Sequence, residues 1–157
     1  MVATSAGILL YRLSPDLEVL IAHMGGPFWA SKDAGAWSIP KGEFVEGEEG
    51  VLDAAIREFH EELGVAPPDG PFAELGTFAY SSGKRVTVFV ADGADFSLDG
   101  LRFGEFEMEW PPRSGRREMF PEVDRVEWMT ADAATDRLVK GQRAALEALV
   151  ALLARAE

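Results

Sequence analysis

The 157-residue sequence contains no cysteine. Disulfide bonds, thiolate metal sites and cysteine nucleophiles are therefore excluded. Histidine is almost as scarce, since the chain has only His23 and His60. A metal ion, if the function needs one, must be held by oxygen ligands or by these two imidazoles.

Long apolar runs are also missing. No stretch approaches the roughly 18 apolar residues that a membrane-spanning helix requires. The N-terminal run from Ala6 to Leu10 is shorter than the apolar core of a signal peptide and has no basic leader. We therefore expect a cytoplasmic protein without a membrane partner. A chain of 157 residues with an ordinary globular composition predicts one domain, over residues 1–157.

Positive charge is in short supply, because 15 Lys and Arg face 27 Asp and Glu, which gives a net charge of −12. This balance disfavours nucleic acid and other polyanions as partners. Three arginines are nevertheless grouped in the segment PPRSGRRE, at positions 113, 116 and 117. They indicate either a local site for an anionic substrate or a solvated basic loop. We take Arg116 and Arg117 as candidate contacts for substrate phosphate.

The most informative stretch is GEFVEGEEGVLDAAIREFHEELGV, residues 42–65. Apolar residues at spacings of three and four predict a helix from about Glu49 to Leu63. Its predicted core-facing residues are Leu52, Ala55, Ile56, Phe59 and Leu63. Gly64 can supply the left-handed conformation that ends a helix.

Three glutamates, Glu58, Glu61 and Glu62, fall together on a neighbouring face of this helix. Carboxylates within one helical turn repel one another, so a positive partner is expected among them. A hard divalent cation, Mg²⁺ or Mn²⁺, suits a site built from oxygen atoms alone. The pattern therefore predicts a metal site.

The same stretch resembles the Nudix box, G-x5-E-x7-R-E-U-x-E-E-x-G-U, where U is a bulky apolar residue. Every fixed position from Glu49 onward matches, but six residues rather than five separate Gly42 from Glu49. The extra residue falls in the loop before the helix, where it costs little closure entropy. The resemblance implies an α/β fold, the Nudix α/β/α sandwich with a mixed β-sheet between helices. It also implies that Glu58, Glu61 and Glu62 bind the metal and carry catalysis, with the Gly42 carbonyl as a further ligand.

Residues around the box have structural or binding roles. In Nudix proteins the residues that match Glu49 and Arg57 form an ion pair that braces the loop against the helix, and we assign this pair the same role. Lys41, in the segment WSIPKG, is either a phosphate contact or an ordinary surface lysine. In the loop MGGPFWASKDAG, Trp29 either stacks on a nucleobase or plugs the end of the core.

Outside the box, alternating and β-branched apolar residues predict two hairpins, formed by residues 5–13 with 17–23 and by residues 72–80 with 85–91. Ser14, Pro15 and Asp16 make the first turn. Shorter strands are predicted at 37–42, 103–110 and 125–129. Thr130 is expected to cap a helix that reaches residue 139. A last helix starts at residue 142, with an apolar face of Leu146, Leu149, Val150 and Leu153.

The segment from Pro111 to Asp124 is predicted to be irregular and to complete the active site, because long loops in compact domains are often functional. If the box carboxylates are committed to metal, the attacking water needs another acceptor for its proton. Glu122 is preferred over Glu118 for this task, because Pro121 and the strand that follows hold it in place. Glu58 is the alternative general base.

We therefore predict a metal-dependent pyrophosphohydrolase whose partner is a small-molecule nucleotide, a nucleoside diphosphate linked to a group X. A bacterial Nudix subgroup, described as predicted nucleoside triphosphate pyrophosphohydrolases, is similar to this chain in the segments GKRVTVFVADG, EFEMEWPPRSGRREMFPEVDRVEW and KGQRAAL. The expected substrate is thus a nucleoside triphosphate or a dinucleoside polyphosphate. ADP-ribose or a nucleotide sugar is the alternative, and a Nudix-fold module that binds a nucleotide without hydrolysing it is another class. The choice between monomer and homodimer stays open.

Overall fold

The computed structural model describes residues 4–13 and 15–156. Seven strands form a mixed sheet, and two further strands form a separate antiparallel pair. In chain order the strands are β1 (Thr4–Leu13), β2 (Leu17–Met24), β3 (Trp37–Ser38), β4 (Lys41–Glu43), β5 (Ala73–Ala79), β6 (Arg85–Asp92), β7 (Glu105–Glu109), β8 (Arg117–Pro121) and β9 (Val123–Thr130). The separate pair consists of β7 and β8.

Strand β1 lies in the middle of the sheet. It runs parallel to β6 and antiparallel to β2 and β4. Strand β5 extends the sheet beyond β6, while β3 and β9 both pair with β2. A strand that is covered on both faces needs a continuous apolar run, and Ile8, Leu9 and Leu10 of β1 are fully buried.

Helices cover both faces of this sheet. The helices are α1 (Val51–Leu63), α2 (Ala131–Arg137) and α3 (Arg143–Arg155), with a 3-10 turn at Lys140–Gln142. Ile8 and Leu10 pack with residues of α1, whereas Leu9 between them packs with residues of α3. Because neighbouring residues of a strand point to opposite faces, this alternation gives two hydrophobic cores on either side of one sheet. The predicted α/β/α sandwich is confirmed.

Both predicted hairpins are present, with β1 antiparallel to β2 and β5 antiparallel to β6. Ser14, which we placed in the first turn, lies outside the described residues. The hydroxyl of Thr130 accepts a hydrogen bond from the Ala133 amide at 3.3 Å and caps α2 as expected. No helix in the described part of the chain is long and apolar enough to cross a membrane.

Several boundaries differ from the prediction. Helix α1 begins at Val51 after an extended Gly50, two residues later than expected. The strand predicted at 37–42 is divided, since Pro40 has no amide hydrogen and the Ile39 amide donates to the side chain of Gln142 instead. In α3, Val150 is 44% exposed rather than part of the core-facing stripe.

The segment 111–124 is not irregular throughout, so this prediction was wrong. Residues Arg117–Pro121 form β8, which pairs with β7 along all five residues of each strand. Turn-forming residues such as Pro111 and Gly115 belong to the tip of this hairpin. The following strand, β9, starts at Val123 and returns the chain to the main sheet.

Candidate active site

Helix α1 is fixed by Ala55, Phe59 and Leu63, which are fully buried against the sheet. It ends at Gly64, whose φ of 77° is the left-handed conformation predicted for it. Burial of this face turns the glutamates of the last turns toward β4 and the start of β9. A cavity of about 320 Å³ lies there. Its lining residues are Ser5, Lys41, Gly42, Glu43, Glu58, Glu62, Tyr80, Lys84, Arg85, Val86 and Glu122.

A larger cleft of about 680 Å³ lies beyond the C-terminal end of α1. It is lined by Asp92, Asp95, Asp99 and Phe96 together with the segment that follows Val65. None of the predicted site residues lines it. The smaller cavity, which gathers carboxylates and cations on facing elements, is therefore the candidate site.

Glu58 lies directly against the backbone of β4. A Cβ atom at position 42 would overlap the Glu58 carboxylate, which explains why this position is a glycine. The Glu58 side chain is 15% exposed and accepts a hydrogen bond from Arg57 Nη1 at 2.9 Å. Burial raises the pKa of Glu58, Arg57 opposes this shift, and the charges of Glu61 and Glu122 add to it.

Glu62 is the most strongly perturbed group in the cavity. Burial raises its pKa to about 8, although both the charge and the backbone of Lys41 act to lower it. The nearby carboxylates of Glu122 and Glu58 raise it further. Ionised together, these three groups would repel one another in a partly desolvated cavity, and a bound cation would offset this repulsion. The chemistry of these donors, oxygen alone, is the type that a hard divalent cation prefers.

Glu61 is placed differently from Glu58 and Glu62. Its side chain is 59% exposed, its Oε2 lies 3.2 Å from Arg57 Nη1, and it does not belong to the cavity lining. Among residues 4–13 and 15–156, no three His, Asp or Glu side chains stand in a metal-binding arrangement. The structure thus places Glu58 and Glu62 in the cavity lining and Glu61 outside it, and Arg57 bonds to both Glu58 and Glu61. A metal site shared by the three glutamates stays a prediction.

Arg57 forms the ion pair that we predicted with Glu49. Its Nη2 lies 2.5 Å from Glu49 Oε1 and its Nε lies 3.1 Å from Glu49 Oε2. The hydrogen bonds from Arg57 lower the pKa of Glu49 despite some desolvation. The extra residue of the box lies before Glu49, so the spacing between Glu49 and Arg57 is unchanged and the contact is kept. Arg57 also bonds to Glu58 and Glu61, which makes it the hub of the acidic end of the helix.

We expect Arg57→Ala to lower the melting temperature of the metal-free protein by a few degrees, and to lower its activity as well. The change leaves Glu49, Glu58 and Glu61 without their shared cation, so their mutual repulsion is no longer compensated. Thermal melting in EDTA measures the effect. Arg155→Ala, at an exposed position in the last turn of α3, is the control. An Arg57→Ala protein that melts with the parent would refute the bracing role.

Glu122 reaches the cavity from the short link between β8 and β9. Its amide donates to the Gly104 carbonyl at 2.7 Å, and its carbonyl accepts from the Gly25 amide at 2.9 Å. The backbone is therefore fixed on both sides, and the carboxylate lines the cavity with Glu58 and Glu62. Glu118, the other candidate, is 44% exposed on β8 and lies near Arg116 instead.

Three predicted substrate contacts are placed as follows. Lys41 lines the cavity. Arg116 and Arg117 do not line it, since their side chains are 71% and 61% exposed on the β7 and β8 hairpin. Arg117 Nε donates to Glu107 at 2.8 Å, across the pair of strands. This placement does not support the phosphate-binding role that we predicted for the two arginines.

The aromatic pair in the loop after β2 is divided between core and solvent. Trp29 is half-buried and packs against the core on the α3 side. Phe28 is 60% exposed, and Lys32 Nζ lies 3.7 Å from the centre of its ring. Neither ring lines the candidate cavity, so the contacts of Trp29 favour the core-plugging alternative over nucleobase stacking.

The two histidines were the other possible metal ligands. His23 is fully buried, with Nδ1 2.7 Å from Asp124 Oδ1 and Nε2 donating to the Lys32 carbonyl at 2.6 Å. Both ring nitrogens are thus engaged, and neither is free to bind a metal. His60 is exposed on α1. Oxygen atoms are left as the ligands for a cation.

Sequence reasoning missed Tyr80, Lys84 and Arg85, which line the same cavity as the carboxylates. They come from the end of β5 and the start of β6, a hairpin that we treated as scaffold. The only local signal was a basic pair, Lys84 and Arg85, that follows a turn. Their proximity to Glu58 depends on the parallel pairing of β1 with β6, which brings Ser5 next to Val86.

Comparison with known proteins is consistent with this architecture. The family model of the NUDIX domain matches residues 2–149. A curated relative, described as an uncharacterized 17.7 kDa protein in the e-segB intergenic region of Enterobacteria phage T4, is 34% identical over 90 residues, or 57% of this chain. The chain spans 58% of the length of that relative.

Solved structures with the same fold cover nearly the whole chain. An Ap4A hydrolase from C. elegans, solved as a binary complex, has a TM-score of 0.65 at 22% identity and covers 96% of this chain and 98% of its own. The NUDIX domain of NrtR from Shewanella oneidensis, complexed with ADP ribose, has a TM-score of 0.63 at 16% identity, with coverages of 98% and 89%. A MutT protein from Methanosarcina mazei has a TM-score of 0.58 at 18% identity, with coverages of 92% and 90%.

Proposed function

The chain belongs to the Nudix family, and we propose that it hydrolyses a phosphoanhydride bond in a nucleoside diphosphate linked to a group X, with Mg²⁺ or Mn²⁺ as cofactor. The family match and the structural neighbours support a pyrophosphohydrolase. One observation of the structure carries the proposal. A single cavity is lined by Glu58, Glu62 and Glu122 together with Lys41, Lys84 and Arg85.

This arrangement suits the chemistry of a polyphosphate. Cleavage of a phosphoanhydride is slow without a catalyst, largely because anionic phosphates repel an incoming nucleophile. The carboxylates of Glu58 and Glu62, with the carbonyl of Gly42, would hold a divalent cation. Glu61, on the last turns of the same helix, would be a further ligand. When bound, the cation supplies neutralisation of the phosphate charge and orientation of the reacting groups.

The remaining groups have separate tasks in the proposed reaction. Lys41, Lys84 and Arg85 bind the phosphate oxygens and fix the chain of phosphates along the cavity. Glu122 accepts a proton from the attacking water, since its carboxylate lies in the cavity and its backbone is held by two hydrogen bonds. Glu58 is the alternative base, but its oxygen is committed to Arg57.

We favour a nucleoside triphosphate or a dinucleoside polyphosphate as substrate. Three cations along one cavity match several anionic phosphates better than the two phosphates of a nucleotide sugar. ADP-ribose is the alternative substrate, because the structurally similar NUDIX domain of NrtR is complexed with ADP ribose. The cytoplasmic location, the extent of the domain over residues 1–157 and the choice between monomer and homodimer stay predictions.

A substrate screen tests the proposal. The protein is incubated with nucleoside triphosphates, diadenosine tetraphosphate, ADP-ribose and nucleotide sugars, with Mg²⁺ or in EDTA, and the products are separated by chromatography. We expect cleavage of a compound with three or more phosphates, and only with the metal. A protein that binds these nucleotides but cleaves none of them would instead be a binding module.

A further inference from the structure

Tyr80 is a cavity residue to which the proposed reaction assigns no task. It follows β5 directly, and its amide donates to the Lys84 carbonyl at 2.8 Å across the turn to β6. The side chain is half-buried and lines the cavity beside Lys84 and Glu58. Gly141 packs on the ring so closely that a Cβ atom at position 141 would overlap it. The ring of Tyr80 is therefore fixed in place.

The hydroxyl of Tyr80 is bonded to Gln142, a fully buried residue of the 3-10 turn before α3. Gln142 Oε1 accepts the Ile39 amide hydrogen at 2.8 Å. Because a backbone N–H can only donate, this bond fixes which end of the amide is oxygen. The amide nitrogen therefore faces the other way, and it donates to Ser38 Oγ at 2.9 Å and to the Tyr80 hydroxyl at 2.8 Å.

This network determines the direction of the Tyr80 hydroxyl. Its oxygen accepts a hydrogen from Gln142, so its own hydrogen must point elsewhere. Among the described residues, the Tyr80 hydroxyl makes no hydrogen bond other than the one it accepts from Gln142. Ser38 Oγ is already bonded to Gln142 and donates its own hydrogen to the Ile39 carbonyl at 2.8 Å. Because Tyr80 lines the cavity and its hydroxyl hydrogen is not used within the protein, this hydrogen is available to a ligand that binds there.

We propose that the Tyr80 hydroxyl donates a hydrogen bond to a phosphate oxygen of the substrate, and that Gln142 is the positioning residue that turns this hydroxyl into the cavity. The proposal rests on the proposed function for the identity of the ligand. A phosphate oxygen is the matching acceptor because Lys41, Lys84 and Arg85 line the same cavity. Gln142 also holds the Ile39 backbone, two residues before Lys41, so one side chain organises two phosphate-binding segments.

The first test compares Tyr80→Phe with the parent in steady-state hydrolysis of the best substrate found in the screen. Loss of a hydrogen bond to a charged oxygen is expected to raise KM by about tenfold or more while kcat stays near the parent value. Tyr11→Phe, which removes the other tyrosine hydroxyl of the chain, is the matched control and should leave KM unchanged. An unchanged KM for Tyr80→Phe overturns the proposal.

Gln142→Glu tests the positioning role with almost no change of shape. The new carboxylate still accepts from Ile39, but its second oxygen can only accept, so it takes the Tyr80 hydrogen for itself. We expect a rise in KM similar to that of Tyr80→Phe, and little further rise when both changes are combined. An equal rise in the parent and in the Tyr80→Phe background would show that Gln142 does not act through Tyr80.

Titration of the Tyr80 phenol is a second test, and it does not require the Gln142→Glu protein to fold. Burial raises the pKa of Tyr80, and the hydrogen bond from Gln142 lowers it. In a Tyr11→Phe background Tyr80 is the sole tyrosine, so phenolate absorbance reports its ionisation alone. Gln142→Leu should move the titration to higher pH, and an unchanged titration contradicts the hydrogen bond.

The failure of the proposed function is distinguishable from the failure of this inference. A parent protein that hydrolyses no nucleotide refutes the function. In that case Tyr80→Phe and the parent are compared by calorimetry with a nucleoside triphosphate whose α,β-bridging oxygen is replaced by methylene. A roughly tenfold weaker Kd for Tyr80→Phe supports the phosphate contact, and an equal Kd overturns it.

Discussion

Glu62→Gln is expected to lower kcat by about a hundredfold or more, the scale on which loss of a key electrostatic group acts. The substitution keeps the shape of the side chain but removes the charge that would hold the cation, in a cavity where Glu62 is the most buried carboxylate. Hydrolysis should stop in EDTA for the same reason. Glu147→Gln, on the exposed side of α3, is the control. A Glu62→Gln enzyme as fast as the parent, or full activity in EDTA, contradicts this role.

The same variant should be more stable than the parent when metal is absent. Burial raises the pKa of Glu62 from 4.5 to about 8, so between these values the folded protein keeps a proton that the unfolded chain has lost. Stability of the parent therefore falls as the pH rises through this window. Glutamine does not titrate, so Glu62→Gln should melt higher than the parent at pH 7 in EDTA. The advantage should disappear below pH 4.5, where both states of the parent are protonated.

Glu122→Gln is expected to lower kcat by about a hundredfold or more with little change in KM, as for the loss of a general base. The two backbone hydrogen bonds of residue 122 are kept, so the side chain changes its chemistry without changing its position. Glu118→Gln is the matched control, because it lies four residues earlier on the same hairpin and outside the cavity.

Steady-state kinetics on the substrate from the screen separates the two constants. If Glu122→Gln and Glu118→Gln both match the parent, Glu122 is not the base. Glu58 is then the remaining candidate, and its bond to Arg57 would have to open for it to accept a proton. A raised KM with normal kcat for Glu122→Gln would assign the residue to binding rather than to proton transfer.

The parts of the fold that sequence predicted are those with local causes. Helix α1 ends at Gly64 because only a residue tolerant of positive φ completes that turn. Strands β5 and β6 pair as predicted because their apolar residues alternate on either side of a short turn. Thr130 caps α2 through its own side chain, three residues from its partner. Each of these signals lies within a few residues of its effect.

Such local signals do not predict which strands pair when the strands are far apart in the sequence. The register that places Thr4 beside Arg85, or Glu18 beside Thr130, is set by packing of both faces of the sheet. Strand β8 is not predicted, because its first residues, Arg117 and Glu118, are both polar and exposed and break the apolar–polar alternation typical of a strand. The sequence predicts its partner, Glu105–Glu109, as a strand but does not indicate which strand it pairs with.

The candidate site shows the same division. The acidic helix face and Glu122 could be named from the sequence, because the box is contiguous and Pro121 marks a restrained backbone. The Tyr80 and Gln142 pair could not, since their contact joins residues 62 positions apart in the chain. The arginine group differs from both, because charge density in the sequence suggested a binding site, whereas Arg116 and Arg117 lie on an exposed hairpin outside the cavity lining; their role in binding phosphate stays a prediction.

The pairing of β2 with β9 has a consequence for the order in which parts of the protein fold. Strand β2 ends at Met24 and β9 begins at Val123, so a large loop must close before the two pair. Contacts between residues far apart in the sequence form slowly. During synthesis, β2 cannot pair with β9 until most of the chain has left the ribosome. Glu122 directly precedes β9, so we expect it to reach the cavity only when β9 pairs with β2. A nascent chain that stops short of Glu122 carries helix α1 with its glutamates but not the Glu122 carboxylate that lines the same cavity.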